Sequence, residues 1–187
     1  MTATKQQEIS LRYAQGEVFN SDKRFRVLVA GRRFGKSYLS CIELLRGAIN
    51  RPNEVYFYCA PTYRMAKDIA WKELKRLTPK VWIKSKNETD LRLELINGST
   101  IELKGTENAM AFRGRSLAGV VLDEAAFMDR EVWAEVIRPA LADKQGWALF
   151  ISTPDGTASW FYDMWCYCGE EEWDDWQRWS FTTIEGG

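Results

Sequence analysis

The chain has 187 residues, 45% of them hydrophobic, with 26 basic and 26 acidic side chains, which suits one globular domain and excludes wholesale disorder. Zero net charge excludes a protein that grips nucleic acid by bulk charge alone, so any DNA contact is local or shared among subunits. The absence of histidine removes Ser-His-Asp and Cys-His catalysis, no apolar run reaches membrane-spanning length, and the scattered cysteines 41, 59, 166 and 168 fit free thiols better than zinc.

In chain order, Phe25 to Ala30 (FRVLVA) is an apolar, β-branched run that predicts a buried strand. It leads straight into a glycine-containing loop. Leu39, Ile42, Leu45 and Ile49 then recur at helical spacing. Val55 to Ala60 (VYFYCA) predicts a second buried strand, after which Thr62 can cap a helix with Met65, Ile69, Ala70, Leu74 and Leu77 on its inner face. The period then drops to two. Leu91, Leu93 and Leu95, a turn at Asn97-Gly98, and Ile101 and Leu103 predict an antiparallel hairpin with one solvated face. Gly119 to Leu122 predicts a short strand ending in Asp123-Glu124, and Asp129 a cap for a helix that Pro139 breaks or restarts. Ala148 to Ser152 predicts a further strand, and the Trp-rich stretch from Trp160 to Phe181 a helix and a last strand. Strands alternating with helices give an α/β fold with a mainly parallel sheet covered on both faces, the hairpin being an insertion.

Ligands of such sheets bind at the carboxyl ends of the strands, where the chemically informative residues fall. AGRRFGKS, Ala30 to Ser37, follows the phosphate-loop pattern G-x-x-x-x-G-K-[ST] except at Ala30. Its backbone N–H groups and the next helix can cradle phosphate, with Lys36 reaching the β and γ phosphates and Ser37 ligating Mg²⁺; alternatively Gly31 and Gly35 merely permit a strand-to-helix turn. VVLDE, Val120 to Glu124, has the form of a Walker B strand. Asp123 faces the metal and Glu124 orients or deprotonates the attacking water. Arg32 and Arg33 lie inside the loop, near the phosphates or simply solvated. Arg113 and Arg115, in FRGRS, can enter an adjacent subunit's site or contact DNA.

Taken in order, AGRRFGKS, YCAPTYRMAKDIAW, NGSTIELKG, FRGRS, VVLDEAAFM and ALFISTPDG resemble the ATPase domain of the large terminase subunit of tailed bacteriophages over nearly the whole chain. The resemblance implies a P-loop fold of the additional-strand, conserved-glutamate (RecA-like) type, with another strand between the Walker A and Walker B strands. It implies ATP and Mg²⁺ as cofactors, double-stranded DNA, a portal protein and a small terminase subunit as partners, and a ring that drives DNA into a procapsid. It further implies no membrane partner and a place of action in the host cytoplasm, transiently at the portal, rather than in the mature virion. Ser152 and Thr153 resemble the motif that senses the γ phosphate, and Gln15 the glutamine that reads adenine. Arg113 resembles a trans-acting arginine finger, while Arg32 or Arg33 resembles the alternative that acts in cis.

Large terminases continue into an RNase H-like nuclease, and residues 1–187 end at IEGG about where its linker would begin. One ATPase domain without nuclease activity is therefore expected. A basic stretch, Lys72, Lys75, Arg76, Lys80, Lys84 and Lys86 with Trp71 and Trp82, reads either as a DNA-tracking surface or as a solvated helix face. A helicase-like translocase would need a second RecA-like domain, and a nucleotide-switch assembly protein would not need Glu124.

Overall fold

The computed structural model describes residues 9–154, 156, 159–168 and 174–183; the terminal IEGG and Asp155 of the STPDG segment lie outside them. A short helix α1 (Tyr13–Phe19) precedes β1 (Phe25–Ala30), α2 (Lys36–Asn50) and β2 (Val55–Ala60). Helix α3 spans 63–77, then come β3 (Ile83–Asn87), β4 (Arg92–Leu95), β5 (Thr100–Gly105) and β6 (Gly119–Asp123). Helix α4 covers 132–140, followed by β7 (Trp147–Ser152), α5 (Trp160–Tyr167) and β8 (Trp176–Phe181). The strands form one sheet in the order β3-β4-β5-β2-β6-β7-β1-β8. Among the described strands only β4 runs against the others. As the resemblance implies, β7 lies between the strand that feeds the glycine loop and the strand that ends in Asp123.

The predicted hairpin forms with Leu93 opposite Ile101 and Gly98 at φ 83° in its turn. It differs from expectation in being part of the sheet, because β5 also pairs in parallel with β2. Its second face is solvated at Arg92 of β4, as expected, but covered at Glu102 of β5. The segment 109–118 folds over it, packing Phe112 on Phe57 and setting Arg115 against the buried Glu102, which also pairs with Lys104. Strand β3 had no apolar signal, since IKSKN is an exposed edge strand that needs none.

Helix α3 starts where Thr62 accepts a hydrogen bond from the Met65 N–H. Its centre, Lys67–Trp71, is a π-helical turn. The buried face is Ala66, Ala70, Trp71, Leu74 and Leu77, so the expected Ala70, Leu74 and Leu77 are buried while Met65 and Ile69 are only half-buried. Helix α4 is also π-helical over Val132–Ile137, and Pro139 restarts it as the short turn Arg138–Ala140. Asp129 contributes its backbone carbonyl to the Val132 N–H at 3.1 Å.

Two cores flank the sheet. Helices α1, α2 and α3 cover Leu28, Tyr58 and Val121 on one face. On the other, α4 and α5 close over Phe25, Val27 and Phe150, with Trp133 edge-on to Phe150 at 4.6 Å. No helix among the described residues is long and apolar enough to cross a membrane, and the four cysteines carry free thiols.

The first core contains one ionic cluster. Arg26 of β1 pairs through both terminal nitrogens with Glu43 of α2, at 2.6 and 3.2 Å, and both side chains are almost fully buried. Arg46 reaches the same carboxylate at 2.7 Å. The two guanidiniums also donate to the carbonyls of Val18 and Phe19, so the cluster anchors α1 against β1 and α2. Removing the shared carboxylate strands two cations. Glu43→Ala is expected to lower unfolding free energy by about 3–5 kcal/mol in urea denaturation, whereas removing the exposed Arg76–Glu73 pair by Glu73→Ala should cost less than about 1 kcal/mol.

Candidate functional site

The glycine loop leaves β1 after Ala30 and enters α2 at Lys36. Ala30 is acceptable where glycine was expected because it is still in the strand, paired with Phe181, with its methyl buried in the core. The left-handed turns lie further on, at Arg33 (φ 69°) and Gly35 (φ 87°). A side chain on Gly35 would be strained twice over, since a Cβ there would stand 2.5 Å from the Gln15 amide nitrogen. At Gly31 a Cβ would meet Thr183 Oγ1 at 2.4 Å.

The loop is braced from both sides. From α1, Gln15 Nε2 donates to the Phe34 carbonyl at 2.9 Å and Arg12 Nη2 to the same oxygen at 2.9 Å, while Gln15 Oε1 accepts from the Arg12 N–H. From β8, the Phe181 ring stacks on the buried Phe34 ring at 5.5 Å, and the Gly31 N–H donates to the Phe181 carbonyl. Gln15 is thus buried against the loop with both ends of its amide engaged. Lys36 folds back, donating to the carbonyls of Ala30 and Gly31 at 2.9 and 3.2 Å. Burial lowers its pKa, helped by Arg32 and opposed by the nearby Glu124 and Asp123.

A cleft of about 620 Å³ joins this loop to the carboxylates. Arg32, Arg33, Lys36, Ser37, Asp123, Glu124 and Thr153 all border it. Sequence reasoning missed its apolar wall of Tyr38, Met65, Ile69 and the exposed Phe127. Met65 and Ile69 read in the sequence as inner-face residues of the helix, whereas they are half-buried and border the cleft.

Asp123 is buried, and each oxygen has a donor: Oδ2 takes the Tyr58 hydroxyl and Oδ1 the Glu124 N–H at 3.0 Å. Burial nevertheless pushes its pKa up to about 6, the neighbouring Glu124 adding to the rise while Tyr58 and Lys36 oppose it. The Tyr58 phenol is raised well above its ordinary value, first by burial and then by Asp123. Glu124 itself is in the left-handed region, φ 56° and ψ 43°. That turn carries its carboxylate towards the end of β7, where Thr153 Oγ1 and Ser152 Oγ donate at 3.3 and 3.5 Å. Ser152 and Thr153 therefore meet Glu124 directly.

Ser37 and Asp123 offer hard oxygen donors. No group of three or more acidic, cysteine or histidine side chains that could hold a metal occurs among the described residues. That donor set fits Mg²⁺, which takes one or two protein oxygens and completes its shell with water and substrate phosphate. Arg113 stands apart, bordering a separate cleft of about 310 Å³ with Gly114, Arg115, Glu135 and Asp143.

The basic stretch is largely neutralised. Lys75 and Lys86 pair with Glu88, Arg76 with Glu73 and Lys84 with Glu94. Trp71 is buried, donating to Glu88.

The buried carboxyl yields a pH prediction. The folded chain keeps the Asp123 proton to about pH 6, whereas an aspartate with the ordinary value of 3.8 releases it earlier. The folded state thus binds the extra proton between those values, and this group makes stability fall as pH rises through that window, by on the order of 3 kcal/mol. In Mg²⁺-free buffer, Asp123→Asn should resist urea better than wild type at pH 7, and the advantage should vanish near pH 4.

A family profile described as the N-terminal part of the terminase large subunit, T4likevirus-type, matches residues 27–186. The large terminase subunit of Thermus virus P23-45 is 31% identical over 171 residues, covering 81% of this chain and 35% of that protein. That of Escherichia phage T5 is 32% identical over 161 residues, covering 82% and 35%. The chain therefore spans about a third of the length of these curated relatives. Among solved structures, the large terminase ATPase domain of Thermus phage P74-26 superposes with a TM-score of 0.83 at 26% identity, covering 95% of this chain and 83% of that one. With the glycine loop, the Asp123-Glu124 strand end and the intervening β7 in the expected places, the chain belongs to the terminase large-subunit family and corresponds to its N-terminal region.

Proposed function

We propose that this chain is the ATP-hydrolysing motor domain of a DNA-packaging terminase, splitting ATP to ADP and phosphate and using the cycle to drive double-stranded DNA into a procapsid. The observation that carries the reading is the meeting of Lys36, Ser37, Asp123, Glu124 and Thr153 around one cleft. Similarity to a solved terminase ATPase domain supports it.

In this reading Lys36 exchanges the carbonyls of Ala30 and Gly31 for the β and γ phosphate oxygens, and the N–H groups at the start of α2 cradle the same anion. Ser37 and Asp123 would hold Mg²⁺, which when bound neutralises phosphate charge and polarises the γ phosphoryl group. Glu124 accepts the proton of the attacking water, aimed by the hydroxyls of Ser152 and Thr153. Those hydroxyls link the catalytic carboxylate to β7, so they sense whether the γ phosphate is present. Arg32 and Arg33 are the cations available in cis. Arg113, bordering a separate cleft, suits a role in a neighbouring subunit's site. Adenine recognition by Gln15 requires its amide to trade the Phe34 and Gly35 carbonyls for the base, placing the adenine beside α1. Ring assembly on a portal protein, delivery by a small terminase subunit and action in the host cytoplasm at the procapsid belong to the same proposal.

Two experiments test it. ATP hydrolysis, measured with and without double-stranded DNA, should fall about 10²–10⁴-fold in Glu124→Gln while nucleotide binding persists; a wild-type chain that binds no nucleotide would sink the reading. For the arginine, Arg113→Ala and Glu124→Ala subunits should partly restore hydrolysis when mixed. No rescue at any ratio, in assemblies shown to form, would move the finger to Arg32 or Arg33.

A further inference from the structure

We infer that Tyr58 is a positioning residue for the metal-facing carboxylate, its phenol fixing Asp123 in the orientation that magnesium-bound nucleotide requires; the inference rests on the ATPase reading above. Tyr58 lies on β2, beside β6, with its backbone level with Val121. Tyr58 and Val121 face the same core, and Asp123, two residues beyond Val121, points to that face as well. The ring therefore runs along the sheet towards the strand end and delivers its hydroxyl to Asp123 Oδ2. The backbone N–H of Glu124 holds Oδ1.

Two donors on two oxygens define the carboxylate plane. A carboxylate held only through Oδ1 can pivot about that single bond, and Tyr58 is fully buried, so water has no ready path to replace the lost hydroxyl. Groups that orient a metal-binding carboxylate in this way commonly govern metal affinity as strongly as direct ligands do.

The same strand supplies an internal comparison. Tyr56 is also fully buried, and its hydroxyl donates at 2.8 Å to the Gly47 carbonyl of α2, away from the nucleotide cleft. Tyr56→Phe and Tyr58→Phe each remove one buried phenol hydrogen bond from β2. Only the second touches Asp123.

The test measures the affinity of this chain for a fluorescent ATP analogue in EDTA and in Mg²⁺. Tyr58→Phe should leave the EDTA affinity within about twofold of wild type and lose about tenfold of the gain that Mg²⁺ confers, within the 10- to 100-fold range for such partners. Half-saturating Mg²⁺ for hydrolysis should rise by a similar factor. Tyr56→Phe should keep the wild-type ratio, and Tyr58→Phe should add nothing to an Asp123→Asn background. An unchanged Mg²⁺ ratio in Tyr58→Phe, an equal change in Tyr56→Phe, or a Tyr58→Phe chain that fails to fold beside a folded Tyr56→Phe would each overturn the inference. If wild type itself shows no Mg²⁺-dependent gain, the ATPase reading fails and the inference falls with it.

Discussion

Parallel pairing of β7 with β1 on one side and β6 on the other sets the spacing on which the site depends. Val29 of β1 is level with Ser152, and Asp123 of β6 with Ile151, so three strands end together. Two strand spacings, about 10 Å, separate the strand that launches the loop from the one that ends in carboxylates. In the proposed ATPase, that gap would let a chain of phosphates lie with the loop at one side and Asp123 and Glu124 at the other. The strand in the middle is not a passive spacer, because Ser152 and Thr153 at its tip are the groups that hold Glu124.

Such an arrangement carries unfavourable features. Arg33 and Glu124 occupy left-handed backbone conformations that cost of order 1–3 kcal/mol each in residues other than glycine. Asp123 is a carboxyl whose charge burial opposes. Elsewhere the fold is held by ring contacts among Phe25, Trp133, Phe150 and Trp176 and by the Arg26–Glu43–Arg46 cluster, which joins three elements.

The sequence made the parallel strands legible because burial on both faces demands unbroken apolar runs, as in FRVLVA and VYFYCA. It made the phosphate loop and Asp123-Glu124 legible because their spacing reflects a chemical requirement. Other features leave no such trace. IKSKN forms an exposed edge strand in which pairing alone selects the extended backbone. The π turns of α3 and α4 have no counterpart in the spacing of apolar residues, which reads as regular helix in both segments. Glu102 reads as a solvated residue of an alternating strand until the 109–118 segment covers it. Likewise Tyr58 reads as one more aromatic in a strand, and Lys75, Arg76, Lys84 and Lys86 read as available until Glu88, Glu73 and Glu94 are found beside them.

The contact between Gly31 and Thr183 gives one glycine of the loop a different meaning. Space for a side chain at residue 31 is taken by the polypeptide as it comes off β8, so the route of the departing chain itself demands glycine there. The loop and the end of β8 are therefore set against each other, and any backbone shift at residue 31 would have to be shared by the chain at Thr183.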